Sequence, residues 1–179
     1  IALPLFLVIP VLIKLDSNGP VFFIQKRVGK DGRLFRMYKF RSMKVNDGAN
    51  TVTAKNDSRI TKTGAFLRKW KLDEIPELFN VLVADMSFVG PRPDVPGYAD
   101  MLTGDARRVL ELRPGITGPA TLKYIHEEEI LARVDDPVKY NDDVIFPDKV
   151  RINLTYLDQF SFMGDLKIIF HTLIRKPNE

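Results

Sequence analysis

The chain has 179 residues, a formal net charge of +4 and no cysteine. That length suits one domain with a real core, and the missing cysteines exclude disulfides, thiol catalysis and Cys-based metal sites. The two histidines, His126 and His171, lie far apart in sequence and form no metal-ligand spacing.

The first stretch, Ile1 to Ile13, carries no charged or polar side chain. A bilayer-spanning helix needs ~20 such residues, so this segment is too short to span. The chain also starts without Met, which is read as a sign that it continues upstream. A cleaved signal peptide lacks its small-residue site here. A buried core helix and a membrane segment both remain, the latter a truncated span or a helix that enters and leaves by one leaflet. The membrane reading is favoured because a basic stretch follows at once. Pro4 and Pro10 each remove a helix hydrogen bond and favour a bend.

Asp16 to Pro20 reads as a turn. Val21 to Ile24 and Leu34 to about Met43 read as two strands joined by the Val28–Gly32 turn into a hairpin. The hairpin carries Lys26, Arg27, Lys30, Arg33, Arg36, Lys39, Arg41 and Lys44. Such a cluster is either a solvated basic hairpin or a surface for phosphates, acidic lipids or nucleic acid. Residues 45 to 60 are polar and turn-rich and read as a surface loop. Gly64 to Trp70 reads as a short helix, and about Glu74 to Val83 as the next. Ile75, Leu78, Phe79 and Leu82 give that helix one apolar face, with Asp73 as N-cap and Pro76 in the first turn. Tyr98 to Leu112 is predicted helical. Arg113 to Pro119 is predicted to be a constrained loop in which Gly supplies unusual backbone angles. Glu127–Glu129 read as solvated acids. Helices are predicted over Phe146 to Phe160 and from Asp165 onward, the last so apolar that it is deeply packed or touches lipid.

Two features carry chemistry. Asp73-Glu74 sits at a helix start flanked by Arg68, Lys69 and Lys71. Ordinary capping explains acids there. The flanking cations also predict an ionised, exposed carboxylate among N–H donors that attract anions. Two carboxylates at one helix start can share Mg2+, which favours one or two carboxylates plus phosphate oxygens. The second is Gly90-Pro91-Arg92-Pro93. Prolines on both sides restrict Arg92, so it presents a fixed fork of donors suited to phosphate. Backbone N–H groups of the Arg113-Pro114-Gly115 loop are candidate contacts for a base or phosphate.

In order, Tyr38-Lys39-Phe40-Arg41-Ser42-Met43, Leu72-Asp73-Glu74, Phe79-Asn80-Val81-Leu82, Asp85 to Pro93 and Arg113 to Gly118 resemble the bacterial sugar transferase family. These are the monotopic phosphoglycosyl transferases that start glycoconjugate assembly. The likeness covers nearly the whole chain. It implies an α+β fold: a single compact, mostly helical domain with a small β-hairpin, an N-terminal re-entrant membrane helix and amphipathic interfacial helices. Residues 1–15 would be the end of the membrane-inserted helix and 16–179 the catalytic domain, on the cytoplasmic face of the bacterial inner membrane. The implied reaction moves a sugar 1-phosphate from a UDP-sugar to undecaprenyl phosphate and releases UMP. By match, Asp73 is the nucleophile, Glu74 a base or metal ligand, and Mg2+ the cofactor, held by Asp73 and Glu74. Arg92 would bind phosphate, and Arg68, Arg113, Gly115, Thr117, Lys39 and Arg41 are the further substrate-binding candidates. Anionic membrane lipids are implied partners; nucleic acid is not, since no reader motif occurs. The chain departs from the family at Leu3-Pro4, where a Ser-Pro pair is usual, and at Pro119, where an aromatic is usual; Thr121 to Tyr124 is also unlike the common pattern.

Two other functions compete. A glycosyltransferase releasing UDP would want an Asp-x-Asp metal motif, and Asp135-Asp136 and Asp142-Asp143 read instead as caps and loop charges. A basic membrane scaffold leaves the acidic pair and the Gly-Pro-Arg-Pro loop without a purpose.

Overall fold

The computed structural model describes residues 3–44 and 59–174; the surface loop expected over 45 to 60 therefore lies largely outside the described residues. Among the described residues the fold is α+β, mostly helical with a small hairpin, as expected; a second small sheet was not expected. By internal packing the chain divides into two compact units. Among the described residues one comprises 3–25, 37–44 and 59–79, the other 26–36 and 80–174.

In the first unit, α1 (Leu3–Asp16) is a helix that runs on through Pro10. Ile9 and Ile13 are buried with Phe40 and Leu67, and Leu5, Phe6, Val21, Leu72 and Ile75 close around them. Full burial of side chains such as Ile13 and Leu67 is worth about 1.5–3 kcal/mol each. Phe6 meets Phe40 and Phe79 with ring centroids 5.5 and 5.2 Å apart. The opposite side of α1 is also apolar yet exposed: Leu7, Val8, Val11, Leu12 and Leu15. No helix among the described residues is long and apolar enough to cross a membrane.

The hairpin pairs β1 (Phe22–Val28) with β2 (Leu34–Phe40). Its turn uses Asp31 and Gly32 at φ 58° and 78°, left-handed angles that Gly, and less readily Asp, accept. β1 is longer than predicted, and its tip belongs to the second unit, where Arg27 Nη1 donates to Pro93 O (3.1 Å) and Val28 N to Asp94 O (2.9 Å). α2 (Lys62–Lys69) is capped by Thr61, whose hydroxyl accepts from Gly64 N at 2.9 Å. Gly64 is required by a close approach: a Cβ there would collide with the Ser42 backbone.

The second unit holds α3's end (α3 is Glu77–Leu82) and a two-stranded parallel sheet, β3 (Ser87–Val89) with β4 (Gly115–Thr117). Asn80 is fully buried and donates to Arg36 O at 2.7 Å, while its own carbonyl accepts from Asp85 N and Met86 N. The region 98–112 is helical in 3-10 form, over Ala99–Met101 and Gly104–Glu111, with an interruption between. It packs Ala99, Val109 and Leu110 on Val28. Short helices α4 (Pro119–Lys123), α5 (Glu127–Leu131) and α6 (Pro137–Tyr140) follow, the last capped by Asp136 as read from sequence. A π turn (Asn141–Ile145) leads into α7 (Phe146–Asp158), and α8 (Phe162–Leu173) ends the described chain. α8 has no buried residue, so the deeply packed alternative is removed: Phe162, Met163, Leu166, Phe170 and Leu173 are exposed.

Candidate active site

α2 stops because Lys71 turns left-handed, at φ 55°. A side-chain-bearing residue there costs roughly 1–2 kcal/mol. The reversal starts a separate 3-10 turn, Leu72–Glu74, and buried Pro76 separates that turn from α3. The predicted helix from Glu74 with Asp73 as its N-cap is thereby corrected: α3 begins at Glu77, and Asp73 lies within the preceding turn. Its expected exposure is corrected too, since only 9% of Asp73 is accessible.

Burial sets the chemistry of this turn. Lys39, reaching from β2, places Nζ 2.8 Å from Glu74 Oε1 and 3.2 Å from Glu77 Oε1, all three side chains largely shielded from water. Asp73 Oδ1 is buried and has no hydrogen-bond partner among the described residues. Burial first, and the Glu74 charge second, push the Asp73 carboxyl above its usual range; Lys39, Lys71 and Arg68 pull the other way. Lys39 thus acts on all three neighbouring carboxyl groups. Asp73 and Glu74 fit a Mg2+ ion on two grounds: hard oxygen donors, one with an unpartnered buried oxygen. No group of three or more His, Cys, Asp or Glu able to hold a metal occurs among the described residues, so substrate or water oxygens would complete the coordination. Glu77 escaped the sequence reading. Its one signal is its position three residues after Glu74, where an acid sits within an apolar helix.

The other expected residues of the first unit divide between site and scaffold. Arg68, half-buried on α2, acts on Asp73 through its charge and lies with Nη1 3.8 Å from Met43 Sδ. Arg41 is buried. Its Nη2 donates to Ser17 O (2.7 Å) and Ser17 Oγ (2.9 Å) at the end of α1, while Nε and Nη1 have no partner among the described residues.

In the second unit, Arg92 is exposed and borders a cavity of about 230 Å³ lined also by Arg27, Asp94, Glu127, Phe146 and Lys149. Glu127, read as a solvated acid, instead accepts from Lys149 Nζ through both carboxylate oxygens at 2.7 Å. Arg113 is exposed, and Gly115 and Thr117 are buried in β4. The loop reading of this segment is corrected. Gly115 N donates to Pro91 O (2.7 Å) and Gly90 N to Thr117 O (2.9 Å), so these N–H groups serve strand pairing rather than a ligand. Gly115 and Gly118 also lack the left-handed angles expected of them. They are small because a Cβ on either would strike the Gly90 backbone. Thr117 Oγ1 lies 2.7 Å from Thr172 Oγ1 of α8. Asp94, Glu127 and Lys149 carried no motif and were missed.

The sequence profile described as bacterial sugar transferase matches residues 1–176. The chain is 39% identical over 178 residues to a UDP-glucose:undecaprenyl-phosphate glucose-1-phosphate transferase of Xanthomonas campestris pv. campestris, covering 96% of this chain and 34% of that protein. It is 37% identical over 175 residues to a UDP-N-acetylgalactosamine-undecaprenyl-phosphate N-acetylgalactosaminephosphotransferase of Aeromonas hydrophila (95% and 38% covered). With the exopolysaccharide production protein PSS of Rhizobium leguminosarum bv. phaseoli it shares 38% identity over 182 residues (96% and 84% covered). The chain thus spans about a third of the length of the first two relatives. The chain belongs to the bacterial sugar transferase family.

Proposed function

We propose that the chain transfers a sugar 1-phosphate from a UDP-sugar to undecaprenyl phosphate, the first membrane step of a bacterial glycoconjugate. The observation that carries this is Asp73: in a sugar transferase chain, a buried carboxylate with one unpartnered oxygen and three cations acting on it. A carboxylate that is poorly solvated and short of hydrogen bonds is a better nucleophile than a hydrated one. An Asp73 oxygen attacks the β-phosphorus, the bond to the bridging oxygen breaks, and UMP leaves. The phosphosugar is then held on Asp73. An oxygen of undecaprenyl phosphate attacks the same phosphorus, and Asp73 leaves as a free carboxylate with polyprenyl-diphospho-sugar as product.

Attack of an anion on a diphosphate needs charge compensation. Mg2+, held by Asp73 and Glu74, would supply Lewis-acid neutralisation of the diphosphate. Lys39 fixes Glu74 and Glu77 in place. Arg68 and Arg92 are the proposed phosphate contacts, with Arg113, Gly115, Thr117 and Arg41 as further contributors; Gly115 and Thr117 contribute by setting the backbone of β4. Membrane association is proposed for the cytoplasmic face of the inner membrane, through the exposed apolar faces of α1 and of α8 and through exposed Lys26 and Lys30, each cation worth ~1 kcal/mol near an anionic surface. Arg27 is left out of these contacts because it bonds Pro93.

The test is nucleotide release from a panel of UDP-sugars with Mg2+ and undecaprenyl phosphate. Wild type is expected to release UMP, and Asp73→Asn to lose roughly 10³-fold or more of that rate, as removal of a nucleophile does. Near-full activity of Asp73→Asn overturns the covalent mechanism, and release of UDP instead of UMP makes the chain a glycosyltransferase.

A further inference from the structure

We propose that Glu77 is a positioning residue that draws the Lys39 ammonium off Glu74 when Glu74 turns to a divalent cation. This deepens the transferase reading above and rests on its assignment of Mg2+ to Asp73 and Glu74. All the groups involved lie within the first unit. Lys39 Nζ stands between two acceptors. It donates to Glu74 Oε1 at 2.8 Å and lies 3.2 Å from Glu77 Oε1, the far end of hydrogen-bonding range. The three side chains keep only 15%, 11% and 5% of their surfaces accessible, so the ammonium has little water to turn to. Both acceptors are placed by the backbone: Glu74 closes the 3-10 turn Leu72–Glu74, and Glu77 opens α3 directly after buried Pro76. A lysine suits the place between them. Its charge is compact and sits on a flexible stem with three rotatable donors, whereas a guanidinium is a rigid fork.

Glu77 is not a third metal ligand, since no group of three His, Cys, Asp or Glu able to hold a metal occurs among the described residues. Its neighbours nevertheless invite a cation. Asp73 is only 9% accessible, and its Oδ1 has no hydrogen-bond partner among the described residues. A divalent ion shared by Asp73 and Glu74 competes with an ammonium held by the same Glu74 carboxylate. Like charges a few ångströms apart repel strongly where water is scarce. Lys39 must then either weaken the metal or give way. Glu77 lets it give way with little travel, because the second acceptor is already within reach. The exchange pairs Glu77 with the ammonium and leaves Glu74 to the metal. Without the Glu77 carboxylate the ammonium keeps its hold on Glu74, and the metal loses a ligand. Residues that orient metal ligands from behind set affinity in this way, typically by 10–100-fold.

The experiment titrates the full chain in detergent micelles with Mn2+ alone, an ion that favours the same oxygen donors as Mg2+ and is counted when free by electron paramagnetic resonance. Wild type is expected to hold one Mn2+ that Asp73→Asn releases. Glu77→Gln is expected to weaken that Mn2+ about tenfold. Lys39→Met separates the exchange from a plain loss of nearby negative charge. With the ammonium gone, the effect of Glu77→Gln is expected to shrink to about threefold or less, whereas plain charge loss weakens Mn2+ at least as much in that background. Because Lys39→Met also costs stability, wild type supplies a second measurement: crystals grown with Mn2+ are expected to show Nζ on Glu77 and beyond about 4 Å from both Glu74 oxygens. The proposal falls if no Mn2+ depends on Asp73, if Glu77→Gln leaves its affinity unchanged, if the effect is as large without Lys39, or if Nζ stays on Glu74 beside bound Mn2+. UMP release by wild type is assayed separately. Mg2+-dependent UMP release with Lys39 unmoved keeps the transferase reading and sinks the exchange; an exchange without UMP release does the reverse.

Discussion

The two units handle charge in opposite ways. In the first, a single ammonium, Lys39, bridges Glu74 and Glu77 beside a third acid, Asp73, whose Oδ1 has no hydrogen-bond partner among the described residues. In the second, three cations and two carboxylates border an open cavity. The first arrangement keeps a carboxylate poorly solvated, which suits a group that must form a bond. The second has an excess of positive charge at a surface that water reaches, which suits a group that must recognise phosphate. The contrast teaches that reactivity comes from withholding partners and binding from offering them.

The comparison breaks most visibly at Asp73 itself, where the Asn variant is expected to lose turnover and keep its fold. Next comes Lys39→Met. It removes the ammonium that Glu74 and Glu77 share, and taking one partner from a buried ion pair costs about 3–5 kcal/mol. Urea unfolding checks this; a loss under about 1 kcal/mol would mean that water reaches the two acids. Asp94 sharpens the contrast through pH. Because its folded value is raised from 3.8 to about 6, the folded chain keeps a proton that the unfolded chain has already lost in that window. Stability therefore falls as pH rises from about 4 to about 6, by up to about 3 kcal/mol. Thermal unfolding of Asp94→Asn across that range is expected to show this slope removed and the chain more stable at pH 7. An unchanged slope would assign the pH dependence to other groups. The smallest effect is expected of Thr172→Val, which deletes the Thr117–Thr172 hydrogen bond for about 1 kcal/mol. Its UDP-sugar turnover should stay near wild type if Thr117 serves the scaffold.

Periodicity and turn chemistry made much of the architecture legible. α2, α7, α8 and the hairpin lie close to where they were expected, α7 and α8 from apolar spacing and the hairpin from the Val28–Gly32 turn, because those elements are held by local preferences and one-sided burial. The parallel pairing of β3 with β4 was not legible. Each strand has three residues, and its partner lies about 28 positions away, so no local pattern encodes the pair. The start of α3 was misread because Pro76 and the acids before it satisfy a capping pattern. The actual break is set at Lys71, a residue type that gives no sign of a left-handed angle. At the site, Asp73 and Glu74 were named from the acidic pair, and Lys39 as a substrate contact rather than as the ion-pair partner of Glu74. Glu77, Asp94, Glu127 and Lys149 were not, since single charged residues acquire meaning only from what the fold packs beside them.

The crowded backbone at Gly90, Gly115 and Gly118 has a consequence for genetics. None of the three has room for even a methyl group, so any substitution must move main chain instead of side chain. In a saturation mutagenesis screen scored by transferase activity, these positions would rank as intolerant as Asp73, and a ranking alone would count them as substrate contacts. Scoring cellular protein abundance alongside would part the two classes: the glycine variants vanish from the cell, and the Asp73 variants accumulate as intact, inert protein.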